Sequence, residues 1–330
     1  MRSATVKAAA LVGWAEMMAT AGISPDEAGR VCAIDPGIWI APDGEISLKS
    51  FVALSEYVGA CAGAAQLSWQ LGESYDLAAL HEVGDAVLGA RTLGTALKRF
   101  AEHFPLLQDA CELRFDVLAE CAQVSYRILD PDIWPRHHDA LFTLAIVAQI
   151  IRRAAGPAWR ESEFLFEAQQ GPVGPVRSCG SLRFAGETNA LRFPLAMLDL
   201  PMPAHDHKFD LKLLSRLIVA HRRAKPVRDK VEMMLFSRLA DGVLNQEKIA
   251  AAIGMSSRTM RRKLAEDGLS FQHLLDECRM RQAVLDFHVH PKASIAQIAL
   301  KLGYAEHSTF TRAFTRWAGI PPNSYRSLMN

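Results

Sequence analysis

Four cationic side chains fall within six residues at Arg258, Arg261, Arg262 and Lys263, and a sparser polar set, His307, Ser308, Thr311, Arg312 and Arg316, follows some fifty residues later. Wound as a helix, the first stretch turns Met260 and Leu264 inward at a spacing of four, leaving Ser257, Arg258, Arg261 and Arg262 outward and Lys263 on the flank. In the second stretch Phe310, Phe314 and Trp317 form the core side, so His307, Ser308, Thr311 and Arg312 face outward, with Thr315 and Arg316 a turn later. A guanidinium presents a planar fork of donors that matches the guanine edge in a major groove, while Ser and Thr suit phosphates and adaptable base contacts. The chemistry expected is recognition of double-stranded DNA, with no bond made or broken. Arg258, Arg261, Arg262, His307, Thr311 and Arg312 are the candidate base contacts; Lys263, Ser308 and Arg316 are the candidate phosphate contacts.

The elements that must position these side chains form an internal repeat. Ile249-Ala250-x-x-Ile253-Gly254 recurs 49 residues on as Ile298-Ala299-x-x-Leu302-Gly303. Leu264 and Gly268 answer to Phe314 and Gly319, at offsets of 50 and 51. Each copy reads as a short helix, a glycine turn and a second helix. The small Ala lets two helices approach, and the Gly takes the left-handed conformation that stops the first helix sharply. The second helix then crosses the first and projects into solvent, the geometry of a helix-turn-helix. Ser256 is placed to cap the first reading helix. Phe271 to Phe287 is long enough for one rigid helix that could hold the two reading helices roughly 34 Å apart, one duplex turn.

Upstream, residues 5–104 carry mainly helical periodicity, as in Phe51, Leu54, Val58 and Cys61 or Leu93, Leu97 and Phe100, and Ser24-Pro25 is a helix start. Leu113, Phe115 and Val117, then Val124, Tyr126 and Ile128, alternate as two strands joined near residues 118–122. A helix is expected from Pro135 to Ala155, ended by Gly156-Pro157, followed by short strands at 164–167, 182–184 and 190–193 with a Gly- and Pro-rich loop at 171–175. The fold class expected is an α+β N-terminal effector domain over 1–207, a linker helix at 208–227, and an all-α DNA-binding domain with two helix-turn-helix units over 228–330.

Charge agrees with that division. Residues 228–330 hold 15 Lys and Arg against 10 Asp and Glu, a net of +5, whereas the rest holds 22 against 26. A basic third beside an acidic remainder suits a polyanionic partner. No run of about eighteen apolar residues is present, since the most apolar stretch, 141–151, ends in Arg152 and Arg153. No membrane partner is expected, and the protein reads as cytoplasmic.

Residues 228–330 resemble the DNA-binding domain of the AraC/XylS family of transcription regulators. The resemblance rests on Ile298-Ala299, Leu302-Gly303-Tyr304, Ser308-Thr309-Phe310, Arg312-Ala313-Phe314, Arg316-Trp317, Gly319, Pro322 and Tyr325-Arg326, together with the stretch from Ile253 to Leu264. Thr92 to Leu97 and Arg152 to Trp159 are similar to the N-terminal domain of the branch with an arabinose-binding-like domain, which includes ornithine-utilisation regulators. The resemblance implies two recognition helices in adjacent major-groove segments. It also implies an N-terminal domain that senses a small-molecule effector or mediates dimerisation, a homodimer on DNA, and RNA polymerase as a partner if the protein is an activator. A protein partner in place of the small molecule is the alternative. Two positions depart from the family pattern. Ala305 stands where a Ser-like cap is usual, a loss of about 1 kcal/mol, with Glu306 partly offsetting it through the helix dipole. Pro321 replaces the usual Ser or Thr before Pro322.

Other chemistry-bearing residues point less far. Trp134, Trp159, Phe164 and Phe166 are the candidate effector-pocket aromatics, since ligand sites are mostly apolar. Arg152 and Arg153 suit a helix end. His137-His138-Asp139 and His205-Asp206-His207 hold metal-capable side chains, but neighbours on a helix diverge, and a surface or structural role is expected for both. Some proteins with this DNA-binding domain are alkyl-transfer repair enzymes with a four-cysteine zinc site. The six cysteines here are scattered without a CxxC pair, and only Cys111 and Cys121 could face one another, across a hairpin. Neither a phosphate-binding Gly loop nor a nucleophile motif is present. No catalytic residue, metal or cofactor is expected.

Overall fold

The computed structural model describes residues 4–61, 66–157, 159, 163–167, 181–184, 186–204, 209–239 and 244–329. The chain divides into two units, Met1–Ile128 with Pro135–His221, and Leu129–Trp134 with Arg222–Asn330.

The first unit opens with β1 (Thr5–Lys7), α1 (Trp14–Thr20) and α2 (Pro25–Val31), then β2 (Glu45–Ser47), which pairs antiparallel with β1. Helices α3 (Leu48–Ala60), α4 (Leu67–Ser74), α5 (His81–Leu88) and α6 (Leu93–His103) follow. Side-chain caps begin several of them, as expected of Ser and Thr. Ser24 Oγ accepts from Glu27 N–H at 3.3 Å and Thr92 Oγ1 from Thr95 N–H at 3.3 Å.

The alternating stretch becomes the hairpin β3 (Cys111–Val117) and β4 (Cys121–Ile128), in register Phe115 to Val124. After α7 (His137–Ala155) come β5 (Glu163–Leu165), β6 (Ser181–Arg183) and β7 (Asn189–Pro194). These complete a five-stranded sheet in the order β3-β4-β7-β5-β6, with β5 and β6 parallel and the other pairs antiparallel.

Helix α7 is the spine of this unit. It is apolar almost all round and buries thirteen of its nineteen residues, which is how a helix enclosed on every side reads. Trp14, Phe51 and Tyr75 close on its Phe142 with ring centroids 5.5, 6.0 and 5.8 Å away. At Gly72 on α4 a Cβ would collide with the Phe142 backbone oxygen, so the two helices meet as closely as backbones allow.

Of the surface or structural role expected for His137-His138-Asp139, the structure shows the structural one: His138 and Asp139 are buried and His137 is half-buried. Tyr126 donates to Asp139 Oδ2 at 2.7 Å, and Glu56 accepts the His138 backbone N–H at 2.6 Å. Burial pushes the Glu56 and Asp139 carboxyls up to about 7 and drives His137 down to about 4. Arg136, just before the helix, grips Glu167 through two hydrogen bonds of 2.9 Å, both side chains buried. Cys111 and Cys121 lie at opposite ends of the hairpin ladder, opposite Ile128 on β4 and Pro194 on β7 respectively, and so do not face each other.

Helix α8 (Leu211–Ala224) buries Leu214 and Ile218 but leaves Leu211 and Leu217 exposed. The second unit is helical: α9 (Val227–Arg238), α10 (Gln246–Ala252), α11 (Ser257–Glu266), α12 (Phe271–Val289), α13 (Ile295–Lys301), α14 (His307–Ala318) and α15 (Pro322–Met329). It has two cores. Val231, Leu235, Ile249, Met260 and Leu264 meet the first half of α12 through Phe271, Leu274 and Cys278. Ile298, Leu302, Phe310 and Phe314 meet its second half through Met280, Ala283 and Phe287. Residues 129–134, which the sequence assigned to the N-terminal domain, belong to this unit, with Leu129 in its first core.

Candidate nucleic-acid interface

The two glycine turns are built alike. Gly254 and Gly303 have φ of 75° and 80°, in the left-handed region. Each donates its N–H three residues back, to Ala251 O and Leu300 O at 3.0 Å, and the next residue reaches back five, Met255 to Ala250 and Tyr304 to Ala299, also at 3.0 Å. These bonds satisfy carbonyls that a helix end would otherwise leave open. No atom lies within 4 Å of a Cβ built at Gly254, so conformation alone demands the glycine there.

Helix α11 starts on Ser256, whose Oγ accepts from Thr259 N–H at 3.2 Å. Met260 and Leu264 are fully buried, which leaves Arg258, Arg261, Arg262 and Lys263 exposed and Ser257 half-buried. Arg262 reaches Glu266 at 3.2 Å, but both side chains stay more than half exposed. Such a pair is weak and is readily exchanged for a phosphate.

Helix α14 begins differently. Its N-cap is Glu306, not Ala305, and makes no side-chain cap bond; its Oε2 accepts from Ser308 Oγ at 3.2 Å instead. Phe310 and Phe314 are fully buried, while His307, Ser308, Arg312 and Arg316 are exposed and Thr311 is half-buried. Arg312 lies 3.4 Å from Thr309 Oγ1. Trp317, expected on the core side, is 48% exposed and touches Phe314 only edge-on at 5.7 Å. It sits three residues beyond Phe314, at the edge of the buried stripe.

Two residues whose positioning role sequence reasoning missed hold the second copy in place. Arg279 on α12 donates Nε–H to Leu302 O at 3.0 Å and lays its guanidinium 4.8 Å from the Tyr304 ring centroid, so the end of α13 is fixed from outside the repeat. Arg326 on α15 donates to Ala293 O, just ahead of α13. A cation at a half-buried position of an otherwise apolar helix face is the available signal for Arg279, but its partner is set only by the fold.

The four aromatics assigned to an effector pocket do not share a site. Trp134 belongs to the second unit and stacks on His288, centroids 6.0 Å apart. Phe164 and Phe166 are fully buried, stacked at 5.6 Å, with Trp69 edge-on to Phe164 at 5.4 Å. Trp159 is half-buried with the Arg152 guanidinium 5.9 Å from its ring, and Arg152 pairs with Glu73 at 2.6 Å. Phe164 and Phe166 are packed as core rings beside the sheet. Cys179, His205, Asp206, His207 and the 171–175 loop lie outside the described residues. Among the described residues no group of three or more His, Cys, Asp and Glu is placed to hold a metal, and no helix is long and apolar enough to cross a membrane.

Comparison with known proteins gives this geometry its context. Residues 22–202 match the arabinose-binding domain of AraC transcription regulator, N-terminal, and residues 249–327 match a helix-turn-helix domain. The chain is 26% identical over 330 residues to the HTH-type transcriptional regulator VirS of Mycobacterium tuberculosis, covering 98% of this chain and 96% of that one. It is 26% identical over 322 residues to the ornithine utilization regulator of Pseudomonas aeruginosa, covering 94% and 93%. Among solved structures, the transcriptional regulator CdpR from Pseudomonas aeruginosa aligns with 20% identity and a TM-score of 0.43 over 94% of this chain and 96% of that one. These domains and relatives are regulators, not enzymes. With an arabinose-binding-like N-terminal unit and a C-terminal double helix-turn-helix, the chain belongs to the AraC family of transcription regulators.

Proposed function

We propose that this regulator is a sequence-specific activator that binds DNA as a homodimer and responds to a small-molecule effector through its N-terminal unit. The observation that carries the reading is the pair of exposed, cationic reading faces on α11 and α14, each set on a left-handed glycine turn. Arg258, Arg261, Arg262, His307, Thr311 and Arg312 read bases, while Lys263, Ser308 and Arg316 meet phosphates, with Ser257 on the same DNA-facing side. The working division is sensing in 1–207 apart from 129–134, relay in 208–227 and DNA binding in 228–330. RNA polymerase is the partner that activation requires. That one similar protein is named for ornithine utilisation supports control of a metabolic operon by a small metabolite.

The test is fluorescence anisotropy of the full chain on the intergenic DNA beside its own gene, over a salt series with random-sequence competitor. Binding that survives competitor, weakens with salt, and loses sequence preference in Arg261→Ala and Arg312→Ala is the expected result. Absence of salt-sensitive binding on any DNA would overturn the reading. Run-off transcription on the bound promoter separates activation from repression.

A further inference from the structure

Helix α9 carries its charges on two sides. Arg228 donates to Glu232 at 2.7 Å and lies 3.6 Å from Glu277 of α12, and Asp229 adds to the same negative surroundings. Glu232 also reaches Arg281 of α12, at 3.9 Å. Both acids of α9, Asp229 and Glu232, thus act on guanidiniums. Lys230 is placed otherwise. Its ammonium donates to Arg223 O at 3.2 Å, and its charged neighbours are cations. Val227 and Val231 pack in one core with Met260 and Leu264 of α11, which brings Lys230 near Lys263 on the reading helix. Lys225, with its Nζ 3.7 Å from Met233 Sδ, completes the group. Partial burial, and then the charges of Lys263 and Lys225, hold the Lys230 ammonium below the usual lysine range. Among the described residues no carboxylate pairs with Lys230 or Lys263.

Like charges set close together without a counter-ion raise the energy of the free protein, and a polyanion relieves that repulsion. We propose that Lys225 and Lys230 extend the DNA contact beyond the reading helices, forming with Lys263 a ledge that holds one stretch of phosphate backbone. This rests on reading α11 as a DNA-binding helix. Ammonium groups suit the task, because a compact charge on a flexible stem attracts phosphates without demanding a fixed geometry. The ledge therefore adds affinity and no base preference. Duplex held at Lys225 also ties down the C-terminal end of the 208–227 segment assigned to relay.

The experiment measures fluorescence anisotropy of the full-length chain on the intergenic duplex and on a random-sequence duplex, each over a salt series. Lys230→Gln should take about one unit off the slope of log K against log salt, and Lys225→Gln combined with it about two. Both duplexes should lose affinity by the same factor, leaving the preference between them unchanged. Lys230→Arg, which keeps the charge, should bind with the wild-type slope.

The proposal is overturned if Lys230→Gln keeps the wild-type slope on both duplexes, as it would if the lysines are only a solvated surface. A changed preference between the duplexes overturns it too. So does a Lys230→Arg chain that binds as weakly as Lys230→Gln, which would mark a packing role. Salt-sensitive binding by the wild-type chain with an unchanged Lys230→Gln variant sinks the ledge alone. Absence of salt-sensitive binding by the wild-type chain on either duplex sinks the regulator reading with it.

Discussion

The two helix-turn-helix copies share their turns and differ in nearly everything around them. The turns at Gly254 and Gly303 make the same pair of backbone bonds, at the same distances. Yet the first copy caps both its helices, with Asn245 and Ser256, and puts four cations on its reading helix. The second caps its positioning helix with a full Ser294–Gln297 box but leaves the reading helix uncapped behind Glu306, with two Arg and one His exposed on it. In exchange its core is aromatic, with Phe287, Phe310 and Tyr325 all packed on Phe314. Turn geometry is fixed by local backbone bonding, so it tolerates no variation. The outward faces answer only to the partner, so they are free to diverge. The first copy invests in charge and the second in packing.

Four measurements would break or sharpen that contrast. The largest effect is expected from Phe314→Ala, a loss of about 3–5 kcal/mol by urea unfolding. Hydrogen exchange should show α13 to α15 opening well before α10 and α11; uniform loss of protection would mean that the two cores are not separate. Next, Arg261→Ala should cost about 1–3 kcal/mol at one base pair of a mapped site. Arg312→Ala should cost less in total affinity, and the reverse ranking would refute a charge-led first copy. Third, Gly254→Ala and Gly303→Ala should each lose about 1–2 kcal/mol through left-handed strain, and unequal losses would show that the turns are not equivalent. The smallest pair concerns caps. Ser256→Ala should lose about 1 kcal/mol and Glu306→Ser should gain several tenths; a destabilised Glu306→Ser protein would mean that the Glu306–Ser308 bond matters more than a cap.

The repeat was legible because both its signals are local. Apolar spacing of four and a glycine at a helix stop need no knowledge of distant chain. The β3–β4 hairpin and α7 were legible for the same reason, since alternation and an unbroken apolar run are visible in a short window. Three-residue β1 and β2 carry no such period, and the apparently all-helical first hundred residues conceal them. His137 to Asp139 left a surface and a structural role both open, because a run of polar residues does not show what covers it. The groups that bond the His138 backbone N–H and Asp139 Oδ2, Glu56 and Tyr126, lie 82 and 13 residues away in the chain. Trp134 misled, as six residues following a sheet strand turn out to belong to the other unit. Arg279 was invisible as a positioning residue because its acceptor, Leu302 O, is a backbone atom 23 residues on.

Helix α12, nineteen residues and about 28 Å long, is a wall of both cores at once. Neither copy could have been inherited, deleted or exchanged as a self-sufficient module, because each would leave with half a helix and an open flank. A premature stop before α13 would strand Met280, Ala283 and Phe287 as an uncovered apolar ridge. The product would be a chain prone to aggregate, not a regulator with half its grip. The duplication visible in the sequence is thus locked in place by the one long helix that is not duplicated.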